Sequence, residues 1–136
     1  MTQRKAYEIP ENCRYARSDE WIRSEGESVY LGLTDYAQSE LSDVVFVELP
    51  PVGHALLAGE SFGVVESVKA VSDLIAPIGG QVLEVNQELE EHPERINEDP
   101  YGRGWILRMD PSTSPEAADL LSPEAYRELV EERSGS

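Results

Sequence analysis

Short β-prone runs alternate with turn residues along most of this chain, and that pattern limits the folds available to it. Runs rich in β-branched, other aliphatic and aromatic residues occupy 19–23, 28–33, 44–49, 61–67, 71–76, 81–86 and 105–109. Glycine, proline, serine, asparagine and aspartate punctuate the stretches between them, as expected for short strands joined by tight turns. Closely spaced strands of this kind are typical of a barrel or a sandwich. We therefore predict a compact, mainly β domain.

Short helices are predicted at the edges of this domain. Thr34 is a candidate N-cap for a helix over 36–41. Segment 88–97 is helix-like but interrupted by Pro93. Ser-Pro-Glu-Ala occurs at 114–117 and again at 122–125, which predicts helices over 115–121 and 123–132 because serine caps and proline opens a helix. The single domain is predicted to span 14–132, between flexible segments over 1–13 and 133–136.

Composition argues against several functional classes. The formal net charge of the 136-residue chain is −16, which disfavours nucleic acid and anionic membranes and favours basic protein partners. An ordinary solvated acidic surface would give the same charge. Cys13 is the only cysteine, so an intramolecular disulfide and a cysteine-based zinc cluster are excluded. Without a membrane-length apolar run or an apolar signal core, we expect a cytoplasmic, bacterial protein.

Enzyme signatures are absent from the sequence. It contains no nucleophile elbow, no Walker-type loop and no His-Glu-x-x-His motif. His54 and His92 are isolated, so a catalytic triad would lack its base. Carboxylates are so numerous that any acidic pair is weak support for acid–base catalysis. A protein that carries the chemistry of other enzymes is the better interpretation.

One lysine stands between two apolar runs. Segment 63–77 predicts a β-hairpin with Lys69 at its tip. The chain has only two lysines, Lys5 and Lys69, against nine arginines. A lysine amine can lose its proton and be acylated, which a guanidinium does not do. A lysine that only blunts an exposed turn is the structural alternative.

The lysine hairpin also resembles a known module. Gly59, the Val-Lys-Ala turn at 68–70, Pro77, Gly80 and the strand over 82–85 are similar to the swinging-arm module of lipoyl and biotinyl carriers. Biotin carriers flank the lysine with methionines, whereas Val68 and Ala70 stand here, so lipoyl is favoured. Segments 32–38, 44–50 and 96–102, followed by Gly104-Trp105, resemble the glycine cleavage system H-protein family. The similarity runs from about Tyr15 to the C-terminal helices.

The resemblance implies a fold and a role. The fold would be a barrel-sandwich hybrid, mainly β, with short peripheral and C-terminal helices. Lipoate would be bound covalently to Lys69 as N6-lipoyllysine. The protein would carry the aminomethyl group of glycine from the P-protein (glycine decarboxylase) to the T-protein (aminomethyltransferase). The L-protein (dihydrolipoyl dehydrogenase) would reoxidise the arm, and a lipoate-attaching enzyme would install it. The chain itself would catalyse no step, and we expect a monomer that binds neither nucleic acid nor membrane.

Five further residues match functional positions of the family. Ser18, Glu20 and Asp73 would form a cleft that shelters the loaded arm, where a carboxylate can hold a protonated amine and water is excluded. Glu66 and Gly80 would be recognised by the lipoylating enzyme. The structural alternatives are solvated strand-end charges for the acidic residues and, for Gly80, a turn that requires a positive φ.

Two positions depart from the family pattern. Asp19 stands where histidine is usual, which would add negative charge beside the cleft and remove a neutral donor. Ser42 stands where glycine is usual and would have to avoid or tolerate a left-handed backbone. Asp19 favours an alternative role, an H-like protein that relays lipoyl groups to other dehydrogenase complexes. A carrier domain cut from a large enzyme and a Schiff-base enzyme are further alternatives, less well supported by the flanking motifs and by a lysine at a hairpin tip.

Overall fold

Two antiparallel sheets form the body of the protein. The computed structural model describes residues 6–135, so Lys5 lies outside it. The sheets have the orders β1-β2-β3-β9-β8-β5 and β4-β6-β7. The strands are β1 Arg14–Tyr15, β2 Glu20–Glu25, β3 Ser28–Leu33, β4 Val44–Glu48, β5 Ala55–Leu56, β6 Ser61–Ser67, β7 Val71–Ile75, β8 Gly80–Val85 and β9 Leu107–Pro111. Neither sheet closes on itself, and the arrangement confirms the predicted barrel-sandwich hybrid.

Short helices lie at the edges of the sheets. They are α1 Asp35–Leu41, α2 Glu88–Glu91, α3 Arg95–Glu98 and α4 Pro123–Arg133. The hydroxyls of Thr34 and Ser122 accept main-chain N–H groups of the first turns of α1 and α4, so both predicted caps are confirmed. In residues 6–135, the structure contains no helix with the length and apolarity that a membrane crossing requires.

The core joins the two sheets. Leu31 and Leu107 of the larger sheet and Val47, Val65 and Leu74 of the smaller one belong to a single buried cluster. Burial of such side chains contributes about 25 cal/mol per Å² of apolar surface. The hairpin predicted to carry the lysine is therefore anchored by the inward side chains of its own strands.

A second, aromatic cluster attaches α4 to the larger sheet. Trp21 is fully buried, and its Nε1 donates to the carbonyl of Pro100 at 3.0 Å. The rings of Tyr15 and Tyr126 stack with centroids 4.6 Å apart. The tyrosine stack places α4 against β1, which pairs with β2. Two of the predicted site residues lie at the start of β2.

The prediction of a helix over 115–121 is wrong. Only a 3-10 turn over Pro115–Ala117 forms there. Leu121 instead pairs with Tyr15, since each main-chain N–H donates to the other carbonyl, at 2.9 and 2.7 Å. This pairing requires an extended backbone, which ends any helix before it. The two-residue strands β1 and β5 were not predicted either, because two residues are too few to show an alternating pattern.

Part of the predicted flexible segment 1–13 makes defined contacts. The hydroxyl of Tyr101 donates to the carbonyl of Glu8 at 2.7 Å, and the N–H of Glu8 donates to Asp35 Oδ2 at 2.9 Å. Residues 1–5 and 136 of the two predicted flexible ends lie outside the described residues. Mobility of 1–13 and 133–136 stays a prediction.

Candidate functional site

Lys69 lies at the tip of the β6–β7 hairpin. The ladder of the two strands ends at the pair Glu66 and Val71. The Ser67 hydroxyl then accepts the N–H groups of Lys69 at 3.1 Å and Ala70 at 2.9 Å. A serine side chain used in this way replaces a main-chain acceptor of a turn. The tip is therefore held by its own hydrogen bonds, without a residue in the left-handed region.

The amine of Lys69 is accessible to solvent. The residue is exposed, and its Nζ donates to the carbonyl of Glu40 near the end of α1 at 2.8 Å. The N–H of Val68 donates to the carbonyl of Asp43, which lies between α1 and β4, at 3.0 Å. Among residues 6–135, no salt bridge involves Lys69. The side chain thus presents a primary amine that is neither buried nor paired with a carboxylate.

Asn97 supports the region on which the hairpin tip rests. Its Oδ1 accepts the N–H of Val44 at 2.9 Å, and its Nδ2 donates to the carbonyl of Ser42 at 2.8 Å. The amide thereby ties the end of α1 to the start of β4. Ser42 has φ 67°, so serine tolerates the left-handed backbone at this position. Reasoning from sequence did not single out Asn97, although it belongs to the motif over 96–102.

Ser18 and Glu20, two of the three residues predicted to form a cleft, are joined by a hydrogen bond. Glu20 is only 1% exposed. The Ser18 hydroxyl donates to Oε1 of Glu20, and the N–H of Ile75 donates to Oε2 at 3.1 Å. Burial raises the pKa of Glu20 to about 7, with a smaller contribution from the Asp19 charge, against the two hydrogen bonds that favour the ionised form. A buried carboxyl that titrates near neutrality is typical of a functional site.

Asp73 lies apart from that pair. It is exposed on β7, where it pairs in register with Val64 of β6. Within residues 6–135, no hydrogen bond joins its side chain to Ser18 or Glu20. Asp73 is linked to Glu20 only through β7, because the N–H of Ile75, two residues further along that strand, donates to Glu20. The shared cleft of these three residues stays a prediction.

Asp19 faces the C-terminal helix. It has φ 75°, which aspartate tolerates better than most residues. Its Oδ1 accepts Arg133 Nη1 at 2.6 Å and the hydroxyl of Tyr126 at 2.9 Å. Burial raises the pKa of Asp19, while Arg133 acts in the opposite direction. The negative charge expected beside the cleft is therefore paired with α4, and it holds the segment that carries Ser18 and Glu20.

Glu66 and Gly80 lie in different sheets. Glu66 is half-buried in β6, between Phe46 of β4 and Val71 of β7. Gly80 begins β8, in the larger sheet. The structural alternative for Gly80, a turn that requires a positive φ, is wrong, because Gly80 does not have a positive φ. A Cβ at Gly80 would lie 2.5 Å from the carbonyl oxygen of Asp110, so close approach of β9 is what requires glycine.

Replacing Gly80 by alanine is expected to lower the free energy of unfolding by about 1–3 kcal/mol, the usual cost of forcing an extra carbon into a packed site. Chemical denaturation measures the effect. Gln81→Ala, at the next and exposed position of β8, is the control. Unchanged stability in Gly80→Ala would contradict the steric explanation.

Metal chemistry finds no support in the arrangement of side chains. Over residues 6–135, no group of three or more histidine, cysteine, aspartate or glutamate residues is placed to hold a metal ion. Cys13 is buried, and burial raises the pKa of its thiol to about 11. The site combines an exposed primary amine at the tip of the β6–β7 hairpin with the buried carboxyl of Glu20, which lies in β2 and contacts Ile75 at the far end of β7.

Known proteins are similar to this chain in sequence and in fold over nearly its whole length. A family model described as "Glycine cleavage H-protein" matches residues 13–133. A glycine cleavage system H protein of Rubrobacter xylanophilus is 58% identical over 125 residues, covering 92% of this chain and 97% of that protein. A probable one of Haloarcula marismortui is 52% identical over 126 residues, covering 93% and 99%. The crystal structure of one from Mycobacterium marinum matches with a TM-score of 0.81 and 40% identity, covering 94% and 100%.

Proposed function

The chain belongs to the glycine cleavage H-protein family, and on that premise we propose that it is the lipoyl carrier of the glycine cleavage system, with lipoate attached to Lys69. The observation that carries the proposal is the exposed amine of Lys69 at the hairpin tip. Lipoate, when bound, supplies a disulfide that accepts the aminomethyl group of glycine and is later restored by oxidation. The chain itself would carry this group and catalyse no step.

The residues at the tip fit the attachment of lipoate. Amide formation needs the lone pair of Nζ, so the ammonium of Lys69 must lose a proton before it attacks the carbonyl carbon of an activated lipoyl group. The new C–N bond then forms as the activating group leaves. An amine held in the core or in an ion pair would resist this step, whereas Lys69 is exposed and its hydrogen-bond partner is a neutral carbonyl. The Ser67 turn keeps the amine at the end of the hairpin.

Ser18, Glu20 and Asp73 would shelter the loaded arm. A protonated amine is attracted to carboxylates, most strongly where water is scarce. Ser18 and the N–H of Ile75 orient the Glu20 carboxylate by donating to its two oxygens. A cation arriving beside Glu20 would lower its pKa from about 7 and so stabilise the ionised form. Asp73 would add a second negative charge from β7.

Three enzymes and a lipoate-attaching enzyme would be the partners. The P-protein would load the arm, the T-protein would unload it and the L-protein would reoxidise it. Relay of lipoyl groups to other complexes is less favoured, since the relatives bear the name glycine cleavage system H protein. The pairing of Asp19 with Arg133 also weakens the one feature that suggested relay. A monomeric state, cytoplasmic location and recognition of Glu66 and Gly80 remain predictions.

Exchange of bicarbonate with the carboxyl carbon of glycine in the presence of the P-protein tests the proposed function. The lipoylated protein is expected to support this exchange, and the same preparation without lipoate is the control. Lipoylation of both samples is checked by intact mass. If protein with the lipoyl mass increment supports no more exchange than the control, the glycine cleavage role is wrong and lipoyl relay becomes the better account.

A further inference from the structure

The solvent side of the small sheet carries an ordered set of apolar and acidic side chains. Cross-strand register places Phe46, Glu66 and Val71 in one row and Glu48, Val64 and Asp73 in the next. We call these six residues the checkerboard face, because apolar and acidic residues alternate in both directions. Phe46 is 49% and Val71 67% exposed, whereas Val47 and Val65, on the other side of the same strands, are buried.

The acidic members of the checkerboard face lack cationic partners. Among residues 6–135, neither Glu48, Glu66 nor Asp73 takes part in a salt bridge. The arginines pair with carboxylates elsewhere on the protein: Arg23, Arg95, Arg103, Arg108, Arg127 and Arg133. These six arginines therefore have their carboxylate partners outside the small sheet.

An exposed aromatic ring among uncompensated carboxylates indicates a partner of defined chemistry. Burying Phe46 requires an apolar pocket, and aromatic side chains are frequent anchors of protein interfaces. The surrounding carboxylates would be complemented by lysine or arginine at the rim of that pocket. Val68, which is 70% exposed at the tip, continues the apolar surface up to Lys69.

We infer that the checkerboard face is the docking surface for the lipoate-attaching enzyme, which seats Phe46 in an apolar pocket rimmed by basic residues. This rests on the proposed attachment at Lys69. An enzyme that acylates Nζ must bring its reacting carbon within bonding distance of the tip, so its surface must cover neighbouring residues. Enzymes that act on the far end of the finished arm are separated from the tip by the arm's own length.

Initial rates of lipoylation test this inference. The substrate is the full-length unlipoylated protein, and the probe is a lipoate-attaching ligase supplied with lipoate and ATP. Phe46→Ser is expected to lower kcat/KM about tenfold through KM, as for an interface anchor. Glu48→Gln should lower it about threefold at low salt and much less at about 0.5 M salt, where charges are screened.

Matched controls come from the turn at the opposite end of β6. Leu57 is 71% exposed, and Glu60 is exposed outside the checkerboard face. Leu57→Ser and Glu60→Gln are therefore expected to stay within about twofold of the parent rate, as surface changes away from an interface do. Melting curves of all four variants separate a binding defect from unfolding, and an unchanged kcat at saturating protein supports docking.

The possible outcomes distinguish this inference from the proposed function. If the parent protein accepts no lipoyl group, attachment at Lys69 is wrong. If the parent is lipoylated but Phe46→Ser behaves like Leu57→Ser, only the docking surface is wrong. If Phe46→Ser is lipoylated at the parent rate but then fails in exchange with the P-protein, the face serves another partner and the inference is overturned.

Discussion

Lys69→Arg is expected to abolish lipoylation and, with it, all carrier activity. Arginine keeps the positive charge and can donate to the Glu40 carbonyl that Lys69 contacts, so the hairpin should remain folded. A guanidinium, always protonated, does not provide the lone pair that amide formation needs. Intact mass is the measurement: native-source protein should show a lipoyl increment, and the variant should show none.

Lys5→Arg is the matched control for Lys69→Arg. Lys5 is the only other lysine of the chain, so this variant should keep the full lipoyl increment and full exchange with the P-protein. A lipoyl increment on Lys69→Arg would move the attachment point to Lys5 or to the terminal amine. The hairpin tip would then not be the site at which the lipoyl group is attached.

Glu20→Gln is expected to change how stability depends on pH. The pKa of Glu20 is raised from 4.5 to about 7 in the folded protein, mainly by burial. Between these values the folded state binds more protons than the unfolded state, so the stability contributed by Glu20 rises as pH falls from about 7 to about 4.5. Above about pH 7 both states are ionised and the full cost of burying the charge remains. At 1.36 kcal/mol per pKa unit, the change is on the order of 3 kcal/mol.

The free energy of unfolding of Glu20→Gln minus that of the parent isolates this contribution. Glutamine is uncharged at every pH, so the difference should favour the variant by roughly 3 kcal/mol more at about pH 8 than at about pH 4.5. Glu90→Gln, at an exposed position, should show a nearly flat difference. A flat difference for Glu20→Gln as well would mean that its carboxyl is solvated, and the predicted cleft would lose its buried acid.

Local patterns were enough to predict the part of the site that lies within one hairpin. β-branched runs, a short break and a lone lysine specified both strands and placed Lys69 at the tip, as the structure confirms. The N-caps at Thr34 and Ser122 were equally predictable, because a cap involves residues only three positions apart. Only the role of Ser67 in the turn escaped notice.

Contacts between distant residues were not predictable in the same way. Asp19 pairs with Arg133, which is 114 positions away, and no local pattern reveals that partner. Leu121 looked helical because of the Ser-Pro start before it, but its pairing with Tyr15 decided the backbone. Gly80 was assigned to a turn, since glycine in sequence does not distinguish a positive φ from the close approach of another strand. The raised pKa of Glu20 likewise depends on burial by the whole fold.

The hydrogen bond from Lys69 to the Glu40 carbonyl has a consequence for the modified protein. The ammonium has three N–H donors and a full charge, both of which favour this contact with the end of α1. An amide nitrogen at the same position keeps one donor and no charge. Acylation therefore weakens the hydrogen bond that holds the Lys69 side chain to α1 while it lengthens that side chain. The modified side chain should consequently reach a larger volume around the hairpin tip than the unmodified lysine does.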